Sequence, residues 1–276
     1  MKQTSYSLGV VALLTLLPVA CQREPAGQAA SQQTQPSAVT SDAEVPVVIA
    51  IEDTIETDPR YIIGISYPPA ARQYPGLAAE LQRYSDAARS ELMEAVEHMG
   101  AQPPTAPYDL SLSYTMVAES PRMVAVAAAG TSYTGGAHGN PLVARFVWLP
   151  QRNELLSPEK LIPGKEGWSR VSDYISEELQ AALSQRVDAD DLEPGERVQV
   201  VRAAGKMIDE GTRPIPDNFR QFEPVLAPDG GMRALRFVFP PYQVGPYSDG
   251  VQTVEVPASV LMPHVAADYR GLFSSR

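Results

Sequence analysis

The sequence predicts an α+β fold, antiparallel sheets packed with helices and divided into two small subdomains. Three observations carry this. Strand-like runs and two long helical stripes are mixed without the regular strand–helix alternation of a doubly wound sheet. The strand-like runs carry turn residues at their ends, and 26 prolines punctuate a chain of 276 residues. The apolar content is 44% against 20% charged, enough to build cores by burial alone.

The elements follow in order. Residues 45–56, VPVVIAIEDTIE, are β-branched and partly alternating, which predicts a strand. Tyr61 to Tyr67 is a second strand, ended by Pro68-Pro69. Leu77, Leu81, Tyr84, Ala88, Leu92 and Val96 recur every three or four residues and predict a helix, stopped by Gly100 and two prolines. Strands are expected at Tyr108–Ala118, Arg122–Tyr133 and Leu142–Leu149. The stripe Trp168, Val171, Ile175, Leu179 and Leu183 predicts a second helix, and Val198–Ile208 a shorter one. Strands are expected again at Phe219–Leu226, Met232–Phe239 and Val251–Val256, then a short helix over Ala258–Val265. The boundary between the subdomains is expected near 160, giving 45–160 and 161–276.

The first 44 residues read differently. Leu8 to Leu17, LGVVALLTLL, follows Lys2 and has the length of a secretory apolar segment, too short to span a bilayer. Pro18-Val19-Ala20-Cys21 then places a small residue before the single cysteine of the chain. The segment resembles a bacterial lipoprotein signal peptide, which implies cleavage after residue 20 and lipid attachment at Cys21. A lone cysteine has no intrachain disulfide partner to explain it. Residues 22–44 are rich in Gln, Ala, Ser, Thr and Pro without aromatics, the composition of a disordered tether. Gln22 in place of Asp implies, by resemblance to known sorting signals, an outer-membrane destination facing the periplasm.

Charge excludes some partners. With 22 Lys+Arg against 33 Asp+Glu the net charge is −11, which disfavours nucleic acid and anionic lipid. No motif calls for a cofactor or a metal. His98, His138 and His264 are isolated, and HExxH and CxxC are absent. His98 falls at a predicted helix C-terminus, where the dipole favours it. No G-x-S-x-G or P-loop occurs. Glu177-Glu178 and Asp190-Asp191 read as solvated pairs.

Two loops remain as candidate ligand-binding elements. Thr134 to Asn140, TGGAHGN, lies between two strand-like runs, and its three glycines and Asn suit the positive φ of a hairpin loop. Tyr133, Gly135, Gly136 and His138 are its candidates. The second loop, in FVFPPYQVGPYSDG, offers Tyr242 and Tyr247, rigid amphipathic rings that lose little entropy on contact.

Together, Tyr133-Thr134-Gly135-Gly136-Ala137-His138-Gly139, the Phe237–Gly250 run and Val256-Pro257-Ala258-Ser259-Val260-Leu261 resemble a pair of adjacent bacterial extracytoplasmic domains. These occur in the lysozyme-binding anti-sigma factor RsiV and beside the catalytic domain of the peptidoglycan deacetylase PdaC. The resemblance covers roughly residues 45–270. It implies an α+β fold of two subdomains, PdaC-like then RsiV-like, without the deacetylase's separate metal-dependent domain. It implies a non-catalytic, membrane-anchored envelope protein that recognises a lysozyme-like protein or peptidoglycan. The alternative expectation is a hydrolase of cell-wall polymers using His138 with a nearby carboxylate. A third is a lipoprotein with an assembly role only.

Overall fold

In the computed structural model, residues 51–99, 106–189 and 192–274 are described. The signal peptide, Cys21 and the tether expected at 22–44 lie outside these residues. So do Gly100 with its two prolines, the Asp190-Asp191 pair, and the start of the first expected strand.

Three long strands form the centre of the larger sheet: β3 (Tyr108–Glu119), β4 (Val124–Tyr133) and β5 (Asn140–Leu149). Before them come β1 (Thr54–Asp58) and β2 (Tyr61–Ser66), and a two-residue β6 (Glu154–Leu155) follows. The order is β1-β2-β3-β4-β5-β6. Within the described residues the first strand begins at Thr54. One pair departs from the antiparallel expectation: β2 and β3 are parallel, with Ile63 beside Leu110. A parallel neighbour needs a crossover, and the helix α1 (Pro75–Met99) supplies it.

The α1 stripe explains which sheet face it covers. Leu77, Leu81, Ala88 and Leu92 pack against Ile63, Ile65, Leu110, Leu112, Val126 and Phe146. Each fully buried Leu or Ile among them contributes roughly 1.5–3 kcal/mol. A hydroxyl chain runs through this core. Tyr67 donates to Ser85 at 2.7 Å, Ser85 lies 2.7 Å from the Tyr114 hydroxyl, and Tyr114 donates to the Leu81 carbonyl at 2.8 Å. The Tyr67 and Tyr114 rings stack, their centroids 4.9 Å apart.

The rest of the chain builds a second core. A short helix α2 (Pro158–Leu161) precedes α3 (Lys165–Ala189) and α4 (Pro194–Gly211). Both long helices extend beyond the expected bounds: α3 runs on to Ala189 with Val187 continuing its buried stripe, and α4 gains exposed turns at its start. A three-stranded antiparallel sheet follows, of β7 (Phe222–Leu226), β8 (Met232–Phe239) and β9 (Gln252–Pro257). Phe219, expected in a strand, ends a 3-10 turn instead and stacks on Trp168 at 5.3 Å. The helix expected over Ala258–Val265 is only α5 (Ala258–Leu261).

Two hydrophobic clusters result, and β4 and β5 serve both. Val126 and Phe146 belong to the α1 side, whereas Ala125, Val147 and Leu149 belong to the side of α3 and β7–β9. Alternation along a strand places successive side chains on opposite faces, so one pair of strands supports two cores. The second core is pinned to the sheet by charge. Arg145 of β5 donates to Glu223 of β7 at 2.7 Å, and Gln221 accepts the Arg145 amide at 2.7 Å. Arg236 completes the pairing of Glu223 at 2.8 Å.

Candidate functional site

The TGGAHGN stretch is the β4–β5 hairpin loop, with Ser132 opposite Asn140. Gly135 and Gly136 take φ of +102° and +95°, a region that costs an L side chain about 1–2 kcal/mol per residue. Tyr133 closes the loop on itself, donating to the Gly136 carbonyl at 3.2 Å.

The loop presents His138 to the second candidate stretch. Tyr242 lies after β8 and Tyr247 opens a 3-10 turn before β9. The Tyr242 hydroxyl is 2.9 Å from Nε2 of His138. The Tyr247 ring stacks on His138, centroids 4.1 Å apart and planes inclined by 16°. Tyr242 and Tyr247 are 5.7 Å apart, so the three rings form one group. His138 and Tyr242 are exposed and Tyr247 is half-buried. Among the sequence candidates, the fold thus gathers His138, Tyr242 and Tyr247. It gives Tyr133, Gly135 and Gly136 to the geometry of the hairpin, and Tyr133 makes no ring contact with the group.

Hydrogen bonding fixes the histidine. Its Nδ1 faces the Gly139 carbonyl at 3.1 Å, an acceptor, so Nδ1 carries the proton. In that tautomer Nε2 accepts from Tyr242. Among the described residues, neither nitrogen meets a carboxylate.

The second loop is held by side chains that the sequence did not single out. Gln243 donates to the Gly211 and Asn218 carbonyls at 3.1 and 2.8 Å, tying the loop to the end of α4. At Gly211 a Cβ would lie 2.0 Å from the Gln243 carbonyl oxygen, so the approach requires glycine. Asp249 sits 2.8 Å from Arg186 of α3, an ionic contact without hydrogen-bond alignment. Tyr242 itself has φ of +72°, uncommon for a non-glycine residue and held by its amide donating to the Gly245 carbonyl at 2.9 Å. Its only sequence signal is the Pro-Pro before and the Gly-Pro after.

The remaining candidates are structural. His98 lies in the last turn of α1, 3.9 Å from Glu94, and Glu177 and Glu178 are exposed on α3. Among the described residues, no three His, Cys, Asp or Glu side chains converge as a metal site would need. Among the described residues, no helix is long and apolar enough to cross a membrane.

This architecture defines a class: two α+β halves built on a shared pair of strands, with an exposed ring group where their loops meet. Residues 39–141 match the family model described as Deacetylase PdaC, and residues 163–259 the model described as a protein of unknown function, DUF3298. The chain carries these two domains as an adjacent pair, which indicates an extracellular protein associated with the cell envelope. A DUF3298 family protein from Pseudomonas aeruginosa PAO1 shares the fold, with TM-score 0.54 and 14% identity over 82% of this chain and 94% of that one. A DUF3298 member from Bacteroides fragilis NCTC 9343 aligns with TM-score 0.49 and 14% identity over 82% of this chain and 96% of its own. No curated protein matches the chain.

Proposed function

We propose that this chain is a lipid-anchored, non-catalytic binding protein of the cell envelope. It is tethered through Cys21, to the outer membrane on the periplasmic side, and it recognises a lysozyme-like protein or peptidoglycan. The observation that carries the reading is the group formed by His138, Tyr242 and Tyr247. Two loops far apart in sequence meet there and expose rigid rings to solvent. Aromatic surfaces of this kind stack on sugar rings and anchor protein interfaces. The net charge of −11 would speed association with a cationic muramidase. Support for a non-catalytic role comes from His138. Its two nitrogens are taken by Tyr242 and the Gly139 carbonyl, so the hydrolase alternative lacks the hydrogen-bonded acid that general base catalysis requires.

The test is retention of the full chain by immobilised lysozyme and by purified cell-wall sacculi at low salt. Binding to at least one is expected, with loss in Tyr242→Ala and Tyr247→Ala. Binding to neither overturns the proposal. Cys21→Ala is expected to release the protein from the membrane fraction, and unchanged fractionation would overturn the anchor.

A further inference from the structure

The larger sheet ends at β1, which pairs with β2 on one side and, among the described residues, with no strand on the other. Alternate residues of such an edge turn N–H and C=O groups to solvent, a template for a further strand. Folds blunt an edge of this kind with proline, a bulge, charge or a covering element. Thr54–Asp58 holds no proline, and its pairing with β2 runs without a bulge from Thr54 opposite Ile65 to Asp58 opposite Tyr61. Its own charges are neutralised on the spot: Glu56 by Arg89 at 2.9 Å and Asp58 by Arg60 at 3.0 Å. Between them and the start of the strand, Ile55 is 86% exposed.

The two sides of this edge differ. Thr54 and Glu56 turn toward α1, where a cleft of about 390 Å³ opens between β1 and the helix. Glu52 and Asp86 stand exposed in its walls, and neither has a hydrogen-bond or ion-pair partner among the described residues. Asp53, next to Glu52, accepts the Tyr67 amide at 2.9 Å but meets no cation. The guanidinium of Arg72, which donates to the Ile51 carbonyl at 3.1 Å, offsets one of these three carboxylates and leaves the cleft acidic. Ile55 and Thr57 point to the opposite face. Ile55 lies opposite Gly64, where a Cβ would meet nothing within 4 Å, so there is room beside it for an apolar side chain.

These features select an occupant by its alternation. A strand added to β1 would send every second side chain over the cleft and the others over Ile55. The first set meets uncompensated carboxylates and suits lysine or arginine. The second set meets an exposed isoleucine beside bare backbone and suits valine, isoleucine or leucine. A second copy of this chain fits badly, because its own β1 would bring Glu52 and Asp53 to the same acidic edge.

We propose that the outer edge of β1 is a docking site for an extended segment of a partner protein in which basic and aliphatic residues alternate. The segment adds a seventh strand to the sheet, with its basic side chains held over the cleft by Glu52 and Asp86. The site lies at the sheet edge away from β5 and the His138 loop, and it does not depend on the envelope-binding role proposed above.

The experiment titrates a blocked heptapeptide of alternating lysine and valine into the full chain by calorimetry. Saturable binding is expected, at least about tenfold weaker for a peptide of the same composition with its lysines in one block. Loss of about tenfold or more is also expected in Glu52→Lys/Asp86→Lys and in Ile55→Ser, with thermal melts checking that each variant folds. Methylating alternate backbone nitrogens of the peptide should abolish binding, since an added strand needs them as donors. A wild type that ignores the peptide overturns the proposal. Binding that survives backbone methylation, or that the block peptide matches, means charge attraction without strand addition and overturns it as well. A dimer in sedimentation that Ile55→Ser dissolves assigns the edge to a second copy instead. Peptide binding lost in Tyr242→Ala places the peptide on the ring group and removes it from β1. If the peptide binds while lysozyme and sacculi do not, the edge site stands and the envelope-binding role falls.

Discussion

The hydroxyl of Tyr242 lies 2.9 Å from Nε2 of His138, joining two loops separated by 104 residues. Each residue is exposed, yet each is held from behind: His138 by the Gly139 carbonyl, Tyr242 by the Gly245 carbonyl on its amide. The bond therefore connects two preorganised loops.

The strain at Tyr242 separates stability from binding. Glycine adopts φ of +72° freely, so Tyr242→Gly removes about 1–2 kcal/mol of backbone cost while losing an exposed contact worth about 1 kcal/mol. Thermal unfolding should show a melting temperature equal to or slightly above wild type. Retention on lysozyme or sacculi should nonetheless fall. A large drop in stability would show that the ring serves the fold.

Gly211 offers a control that touches no ring. A Cβ there would collide with the Gln243 carbonyl at 2.0 Å, so Gly211→Ala must shift the loop that carries Tyr242. The expected cost is about 1–3 kcal/mol for such overpacking, read by urea unfolding. The His138 imidazole resonances in NMR should move as the stacking on Tyr247 changes, and unchanged shifts would contradict this.

Glu223 joins the second core to the sheet. Its side chain is 8% exposed and that of Arg145 13%. Glu223→Ala leaves Arg145 facing a partly dry site without its carboxylate, at a cost of about 3–5 kcal/mol. Urea unfolding should show the midpoint falling accordingly. Glu255, still 2.6 Å from Arg236, limits the damage to that side. A loss below about 1 kcal/mol would mean that the pair behaves as a surface ion pair.

Alkaline pH should weaken the α1 core. Burial pushes the Tyr114 hydroxyl far above its ordinary value, against the opposing pull of the Ser85 hydrogen bond, and Tyr67 moves the same way. The unfolded chain releases these protons near pH ~10, while the folded chain keeps them. The folded state then binds more protons, so stability is intact below that pH and falls as pH rises above it. Tyr114→Phe should cost about 1 kcal/mol at pH ~8 yet lose less between pH ~8 and ~11 than wild type. Equal losses in both proteins would place the alkaline sensitivity elsewhere.

Much of the fold was legible because helices and strands repeat at fixed periods. The α1 stripe from Leu77 to Val96 and the run Met232–Phe239 name their elements directly. What escaped has a physical cause. The first turn of α4 is exposed and carries no apolar stripe, and the β2–β3 pairing is parallel only because α1 returns the chain to the same edge. Ser111, Ser113 and Thr115 alternate with Leu110, Leu112 and Tyr114, so the sequence did contain a strand with one polar face, but not whether another layer would cover it. Gln243 and Arg186 gave no sign of their part, since neither belongs to a motif.

By itself the sequence determined the α+β class, the hairpin at Gly135-Gly136 and the two loops worth watching. Periodicity and backbone preference are local, and they need only neighbours along the chain. Only the tertiary structure decided that His138 meets Tyr242 and Tyr247, that Tyr133 turns back on its own loop, and that β4 and β5 serve two cores. Those outcomes depend on how α1 and the β7–β9 sheet pack on opposite faces of one sheet, and that packing is set by contacts far apart in sequence.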